Sequence, residues 1–303
     1  MQRRSTRKGI LLAGGTGTRF APLMRIVTKQ LLPLFDKPTI YYPLSLLMLA
    51  GIREITIVSD PENLPLIRKL LDEGRELGLE LHYATQGRPA GIAEALIIAE
   101  HFLAGGASCL ALGDNILYGH ELTTLLRQAA ARDVSTIFGI NVHNPQDYGV
   151  VTLDARGRPI TIEEKPRHPK SRIAVPGLYF LDHDAPSFAR QVTPGASGEL
   201  EITSVINHYM AAGRLRLEML GRGFAGSMLE RTARCSRQAI SLPWSSAGSR
   251  RRSPALRRSP TRRAGSRRSS SADTAQNTAA RATATISRRC SIRPQSRRAS
   301  AWR

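Results

Sequence analysis

From residue 9 to residue 142, short apolar runs alternate with stretches whose apolar positions recur every three to four residues. The runs at 9–13, 54–59, 79–84, 108–113 and 135–142 predict strands. The stretches at 39–50, 64–76, 91–102 and 122–132 predict helices. Such alternation predicts an α/β chain, with a mostly parallel sheet and helices on both faces. Ligands of these sheets sit at the carboxyl ends of the strands. The residues that follow 13 and 113 are therefore the first candidates for chemistry. After residue 145 the rhythm shortens, and the runs at 148–153, 160–164, 174–181 and 215–220 read as further strands. Asp154-Ala155-Arg156-Gly157 reads as a turn among them. From Gly226 onward the pattern ends. Arg, Ser, Ala, Pro and Thr dominate there, and few apolar residues recur at either period. A segment of that kind buries too little surface to offset its chain entropy, so it is expected to be disordered. The expected division is a folded domain over 5–225 and a low-complexity Arg/Ser-rich tail over 226–303.

Charge follows the same division. The tail holds 19 arginines, no lysine and two acids, Glu230 and Asp273, a balance of +17. The whole chain is +20, which leaves +3 for residues 1–225. Any attraction to nucleic acid would thus belong to the tail. Its aromatics are only Trp244 and Trp302, too sparse to stack bases, so a nucleic-acid partner is not expected. The apolar run after the basic start is too short for a signal peptide, and no run approaches the ~20 residues of a membrane span. The expectation is a cytoplasmic chain without a membrane partner. Cys109, Cys235 and Cys290 have neither disulfide nor metal spacing, and the seven histidines have no metal spacing. Cys109 lies in an apolar strand and reads as buried and inert.

The first strand runs straight into Gly14-Gly15-Thr16-Gly17-Thr18-Arg19, and Lys29 follows ten residues later. Glycines there let backbone N–H groups approach a polyphosphate. Two cations beside such a loop suit a triphosphate that loses pyrophosphate. There is no G-x-x-x-x-G-K-[ST] and no G-x-G-x-x-G, so neither a P-loop nor a dinucleotide fingerprint is present. Asp114 ends the apolar run 110–113, where a carboxylate either holds a cation or caps the next helix.

Residues 11–33, Leu-Leu-Ala-Gly-Gly-Thr-Gly-Thr-Arg-Phe-Ala-Pro through Lys29-Gln30-Leu31-Leu32-Pro33, resemble the signature of the sugar nucleotidyltransferases, also called sugar-nucleotide pyrophosphorylases. The segments 36–44, 113–119, 163–166, 177–180 and 198–203 are similar to the glucose-1-phosphate thymidylyltransferase branch of that family. The resemblance covers roughly residues 8–225. It implies a Rossmann-like nucleotidyltransferase fold with a small added β region for the sugar. It also implies a reaction. A glucose 1-phosphate oxygen attacks the α-phosphorus of dTTP, pyrophosphate leaves, and dTDP-glucose forms, a precursor of deoxysugars such as rhamnose. The nucleophile is already an anion, so positioning and charge neutralisation carry the catalysis. Mg2+ is the implied cofactor, with Asp114 as its ligand. The implied nucleotide-binding residues are Gly14, Gly15, Thr16, Gly17, Thr18, Gln86 and Gly91. Of these, Gln86 would read the base edge and Gly91 would open the following helix. The implied catalytic cations are Arg19, Lys29 and Lys165. Asn115, Tyr148, Gly149, Glu164, Val175 and Tyr179 are implied to hold the sugar phosphate. The segment 86–95 departs at several positions from the family's Q-P-x-P-x-G-L-A-Q-A, and Pro176 and Ser204 replace a usual Thr and Asp. A relative using UTP or CTP, or an inactive nucleotide-binding remnant, stays open as an alternative.

The family continues with Trp-Leu-Asp-x-Gly-Thr, whose aspartate is a second ligand of the ion. Here Gly221-Arg222-Gly223-Phe224-Ala225 leads instead into Gly226-Ser227-Met228. Codons that permit residues 226–237, read one base earlier, also permit Trp-Leu-Asp-Ala-Gly-Thr-His-Gly-Ser-Leu-Leu-Glu. The tail is therefore expected to be out of frame. Met228 stands at the place of the aspartate, so weakened metal binding and impaired activity are expected. The family's C-terminal helices, which in it support oligomers, have no counterpart, so a homo-oligomer is doubtful.

Overall fold

The computed structural model describes residues 7–14, 28–195, 197–221 and 224–228. The first half holds β1 (Lys8–Leu12), β2 (Pro33–Leu34), β3 (Lys37–Pro38), α1 (Tyr41–Leu49), β4 (Glu54–Ser59), α2 (Leu64–Leu71) and β5 (Glu80–Thr85). It continues with α3 (Glu94–Ile98), α4 (Glu100–Leu103), β6 (Ser108–Leu112), β7 (Asn115–Tyr118), α5 (Leu122–Ala131) and β8 (Ser135–Asn141). The second half adds β9 (Gly149–Leu153), β10 (Pro159–Glu164), β11 (Ile173–Val175), β12 (Leu178–Leu181), α6 (Ala185–Gln191), α7 (Ile202–Ala211), β13 (Leu215–Met219) and β14 (Ala225–Met228).

Ten of these strands form one sheet, in the order β10-β9-β11-β8-β12-β6-β1-β4-β5, with β13 added to β8. β6, β1, β4 and β5 are mutually parallel, and β13 is parallel to β8. β12 is the reversed strand between β6 and β8. One edge of β8 is shared: Thr136 and Ile137 pair with β12, and Ile140 and Asn141 with β11. The sheet thereby forks, and β11, β9 and β10 continue as an antiparallel flap. That flap is the small added β region.

Strand alternation supplies both faces of the sheet. Ile10 and Leu12 join Leu96, Ala189, Val205, Ile206 and Tyr209 in one core, beneath α3, α6 and α7. Gly9 faces the other way, against Leu47 and Ile52 at the end of α1. The strand interiors are apolar on both faces, as a sheet covered on both sides requires. No helix among the described residues is long and apolar enough to cross a membrane.

Several local expectations need correction. The helix expected over 91–102 starts only at Glu94 and is divided at Ala99 into α3 and α4. Gly91 therefore lies three residues before it, at φ +113, and does not open it. The run 174–181 is two strands, because Pro176-Gly177 breaks it. α2 ends at Leu71 rather than Glu76, because Asp72 turns to φ +49. The helices α6 and α7 fall between the runs 174–181 and 215–220, where no element was anticipated. β14 extends the paired backbone through Met228, three residues beyond the expected boundary. The disorder expected for the rest of the tail concerns residues outside the described ones.

Candidate active site

The parallel strands end together. Ala13 N–H donates to Val58 O at 2.7 Å, Gly113 N–H to Leu12 O at 2.8 Å, and Gln86 N–H to Ser59 O at 2.8 Å. Gly14, Ser59, Gln86 and Asp114 are thus aligned along one carboxyl edge, where ligands of such sheets bind. Gly14 is the last described residue before the loop, and Gly15, Thr16, Gly17, Thr18 and Arg19 lie outside the described residues. The chain resumes at Thr28. Lys29 Nζ then meets Asp114 Oδ2 at 2.6 Å, both side chains being nearly buried. A close ion pair at a strand end holds a cation and a carboxylate ready for exchange partners at little reorganisation. The next residue, Gln30, is fully buried and donates from Nε2 to Gly14 O at 3.2 Å.

Gln86 is 5% exposed. Its Nε2 donates to Gly91 O at 3.1 Å and to Glu94 Oε2 at 2.7 Å. Gly91 needs its missing side chain, because a Cβ would collide with the backbone of Leu200. The two segments are laced together there: Leu200 N–H donates to Ala90 O at 2.7 Å, and Ala93 N–H donates to Leu200 O at 3.0 Å.

The reversed strand β12 brings the second half of the site to the same edge. Leu112 N–H donates to Gly177 O at 2.9 Å, so the Val175-Pro176-Gly177 link lies beside the end of β6. Asn115 is 7% exposed, and its Nδ2 has no hydrogen-bond partner among the described residues. That amide lies against the bare face of Gly177, where a Cβ would collide with it. An orphaned buried donor is costly in a resting protein, and it suits a ligand acceptor. In the flap, Gly149 is paired with Glu164 on one side and Val175 on the other. Lys165 N–H donates to Tyr148 O at 3.0 Å, and Lys165 holds φ +38. Non-glycine residues in that region are strained, and such strain concentrates at functional sites. Lys165 Nζ is 3.5 Å from Glu164 Oε1. Burial lifts the Glu164 carboxyl above the usual carboxylate range; Lys165 pulls it back, while Glu201 and Glu199 push it further up. Tyr179 is buried, and its phenol is pushed up by burial and by the Glu164 charge.

Among the described candidates, two groups therefore assemble. Gly14, Lys29, Gln86, Gly91 and Asp114 gather around the parallel strand ends. Asn115, Tyr148, Gly149, Glu164, Lys165, Val175 and Tyr179 gather around β12 and the flap. Glu94, Gln30 and Leu200 were missed. Glu94 lies inside the quoted segment 86–95, but its i, i+8 relation to Gln86 is no regular period. Leu200 acts through its backbone, for which sequence has no signal.

A protein family described as nucleotidyl transferase matches residues 8–251. The chain belongs to this nucleotidyl transferase family. Its curated relatives include the glucose-1-phosphate thymidylyltransferase of Neisseria gonorrhoeae, 52% identical over 219 residues, which are 72% of this chain and 76% of the relative. The enzyme of that name from Mycobacterium tuberculosis is 47% identical over 218 residues, covering 72% and 76%. Among solved structures, a candidate glucose-1-phosphate thymidylyltransferase from Bacillus anthracis, in complex with sucrose, superposes with a TM-score of 0.69 at 31% identity, over 78% of this chain and 96% of that one. A UDP-glucose pyrophosphorylase complexed with UDP-glucose shares the fold, with a TM-score of 0.63 at 23% identity, over 71% and 90% of the two chains.

Proposed function

We propose that this chain transfers a thymidylyl group from dTTP to glucose 1-phosphate, releasing pyrophosphate and dTDP-glucose. The bond formed joins a glucose 1-phosphate oxygen to the α-phosphorus, and the bond broken is that from the α-phosphorus to the bridging oxygen of pyrophosphate. The observation that carries the reading is the meeting of two half-sites at one sheet edge. One presents a buried amide and a Lys29–Asp114 pair at 2.6 Å; the other presents a buried amide at Asn115, unpartnered among the described residues and set against Gly177, and the Glu164 carboxylate of the flap. The first suits a base and phosphates, and the second suits hydroxyls and a sugar phosphate. In this reading Lys29 leaves Asp114 for the phosphates when nucleotide enters, and Lys165 neutralises the sugar phosphate. Glu164 accepts from sugar hydroxyls, and Arg19 is assigned to the leaving pyrophosphate.

Mg2+ fits this donor set as an ion that arrives with the triphosphate. It commonly takes one or two carboxylates plus substrate phosphates and keeps several waters. Asp114 can supply one carboxylate, and no cluster of three or more metal-ligating side chains exists among the described residues. When bound, the ion would neutralise charge on the phosphate oxygens. Position 228 faces Asn115 across β14 and β7, next to Asp114, and carries methionine. A single protein carboxylate implies weak metal retention and reduced turnover.

Pyrophosphate release from the full chain with glucose 1-phosphate tests the reading. The expected result is dTDP-glucose by mass, faster with dTTP than with UTP, at millimolar Mg2+. Equal or greater turnover with UTP would overturn the thymidylyl assignment, and no release with either nucleotide would overturn the reaction.

A further inference from the structure

We propose that Glu94 is a positioning residue that sets the base preference of this site, by fixing which end of the Gln86 amide faces the nucleotide. The proposal rests on the nucleotide reading of the site given above. A carboxylate oxygen and a carbonyl oxygen can only accept hydrogen bonds, whereas a primary amide can present either end. Glu94 Oε2 and Gly91 O lie 2.7 and 3.1 Å from the same Gln86 nitrogen. Only the NH2 group can satisfy both. The amide is therefore held in one orientation by chemistry, with both N–H donors spent inside the protein.

The opposite end is presented alone. The side-chain hydrogen bonds of Gln86 among the described residues both run from Nε2, and none is accepted by Oε1. It points toward Gly14, 3.3 Å from where a Cβ of that residue would be, at the mouth of the loop. The buried amide thus offers one acceptor and no donor to a base. Thymine and uracil carry an N–H at N3 and match an acceptor. Cytosine carries a lone pair there and its nearest donor one position away, on the C4 amino group, so with the Gln86 oxygen set opposite N3 acceptor would face acceptor. A site that leaves a buried polar group unpaired rejects the wrong ligand far more strongly than one that merely loses contact area. Glu94 occupies the position at which Q-P-x-P-x-G-L-A-Q-A has glutamine. A glutamine there could donate as well as accept, and would leave Gln86 free to turn over.

The test is the dissociation constant of dTTP, UTP and dCTP for the full chain, by calorimetry, in the native protein and in Glu94→Gln and Glu94→Ala. The native chain is expected to prefer dTTP and UTP over dCTP by about 100-fold, near the upper end of what one buried unsatisfied hydrogen-bonding group costs. Glu94→Gln, which keeps the shape, is expected to shrink that ratio about tenfold, chiefly by tightening dCTP. Glu94→Ala is expected to shrink it similarly with weaker binding overall. A merely structural role would weaken all three nucleotides together and leave the ratio unchanged, and that result would overturn the proposal while leaving the proposed reaction intact. Equal affinity for dTTP and dCTP in the native chain would also overturn it. Absence of binding by all three would remove the nucleotide reading on which it stands.

Discussion

Glu164, proposed above to accept from sugar hydroxyls, carries an electrostatic cost to the fold. Its folded-state pKa is raised, first by burial and then by Glu201 and Glu199, against the opposing pull of Lys165. A carboxyl with a raised folded pKa binds its proton more tightly in the native state. Its contribution favours folding below the ordinary carboxylate pKa and is lost as pH rises through the raised value. Glu164→Gln removes that penalty. The melting temperature of the variant should therefore exceed that of the native chain at pH 7 and converge with it near pH 3. Affinity for glucose 1-phosphate should fall about tenfold at pH 7, as expected when one charge-assisted hydrogen bond to a ligand is lost. Calorimetric melts at the two pH values check the first part, and titration with the sugar phosphate checks the second. A lower melting temperature at pH 7 would show that Glu164 stabilises the flap instead. Glu164 itself was legible in Glu163-Glu164-Lys165-Pro166, because the motif ties residue type to order along the chain. Its electrostatic surroundings were not, since Glu199 and Glu201 arrive from a loop some 35 residues away.

At the scale of elements, position matters more than residue type. β14 pairs antiparallel with β7, in the register Ala225↔Tyr118 through Met228↔Asn115. The backbone of position 228 is thereby delivered beside the residue that follows Asp114, although its sequence no longer matches the motif expected there. Met228→Asp would add a carboxylate at that position. Its turnover at limiting Mg2+ is expected to rise at least about tenfold, equivalent to about 1.4 kcal/mol of barrier. The Mg2+ concentration for half-maximal rate should fall in parallel. Pyrophosphate release across a Mg2+ titration reads both, and an unchanged Mg2+ dependence would place the deficit elsewhere than at this position. Sequence pattern located β1, β4, β6 and β8, because a buried parallel strand is a run of apolar residues without interruption. It could not locate β7, whose four residues show no usable period, nor α6 and α7, which lie between the runs 174–181 and 215–220 where no element was assigned. Gly91 was expected to open the following helix. In the fold it is a contact point, where the 86–94 segment meets Leu200 backbone to backbone.

At the scale of the molecule, one buried cation closes the end of the sheet away from the site. Arg7 is 3% exposed, and its guanidinium donates to Leu181 O at 2.6 Å, Ala130 O at 3.1 Å, Ser108 O at 3.3 Å and the carbonyl of Arg132. These acceptors belong to the start of β6, the end of β12 and the end of α5, so one side chain joins the parallel strands, the reversed strand and the outer helix layer. Burial pulls the guanidinium pKa down, and Asp182 and Asp133 are among the charges that hold it up. Nearby, Asp182 accepts from Tyr209 Oη at 2.7 Å and from Arg214 at 2.6 Å, so the reversed strand is also fastened to α7. In sequence Arg7 was indistinguishable from the basic residues around it. A charge run at a chain start reads as a solvated face, and nothing in composition marks one member as buried. Removing it takes away the side-chain donors to four carbonyls at once. Arg7→Met, which keeps the apolar stem and deletes the donors, is expected to lower unfolding free energy by about 3 kcal/mol. The loss should be equal with and without dTTP, because the clamp lies at the opposite end of the strands from Gly14 and Asp114. Urea denaturation followed by circular dichroism measures it. A change within about 0.5 kcal/mol, the range of an ordinary surface substitution, would mean that water satisfies those carbonyls as well as the arginine does, and that the forked sheet is held together by its apolar layers alone.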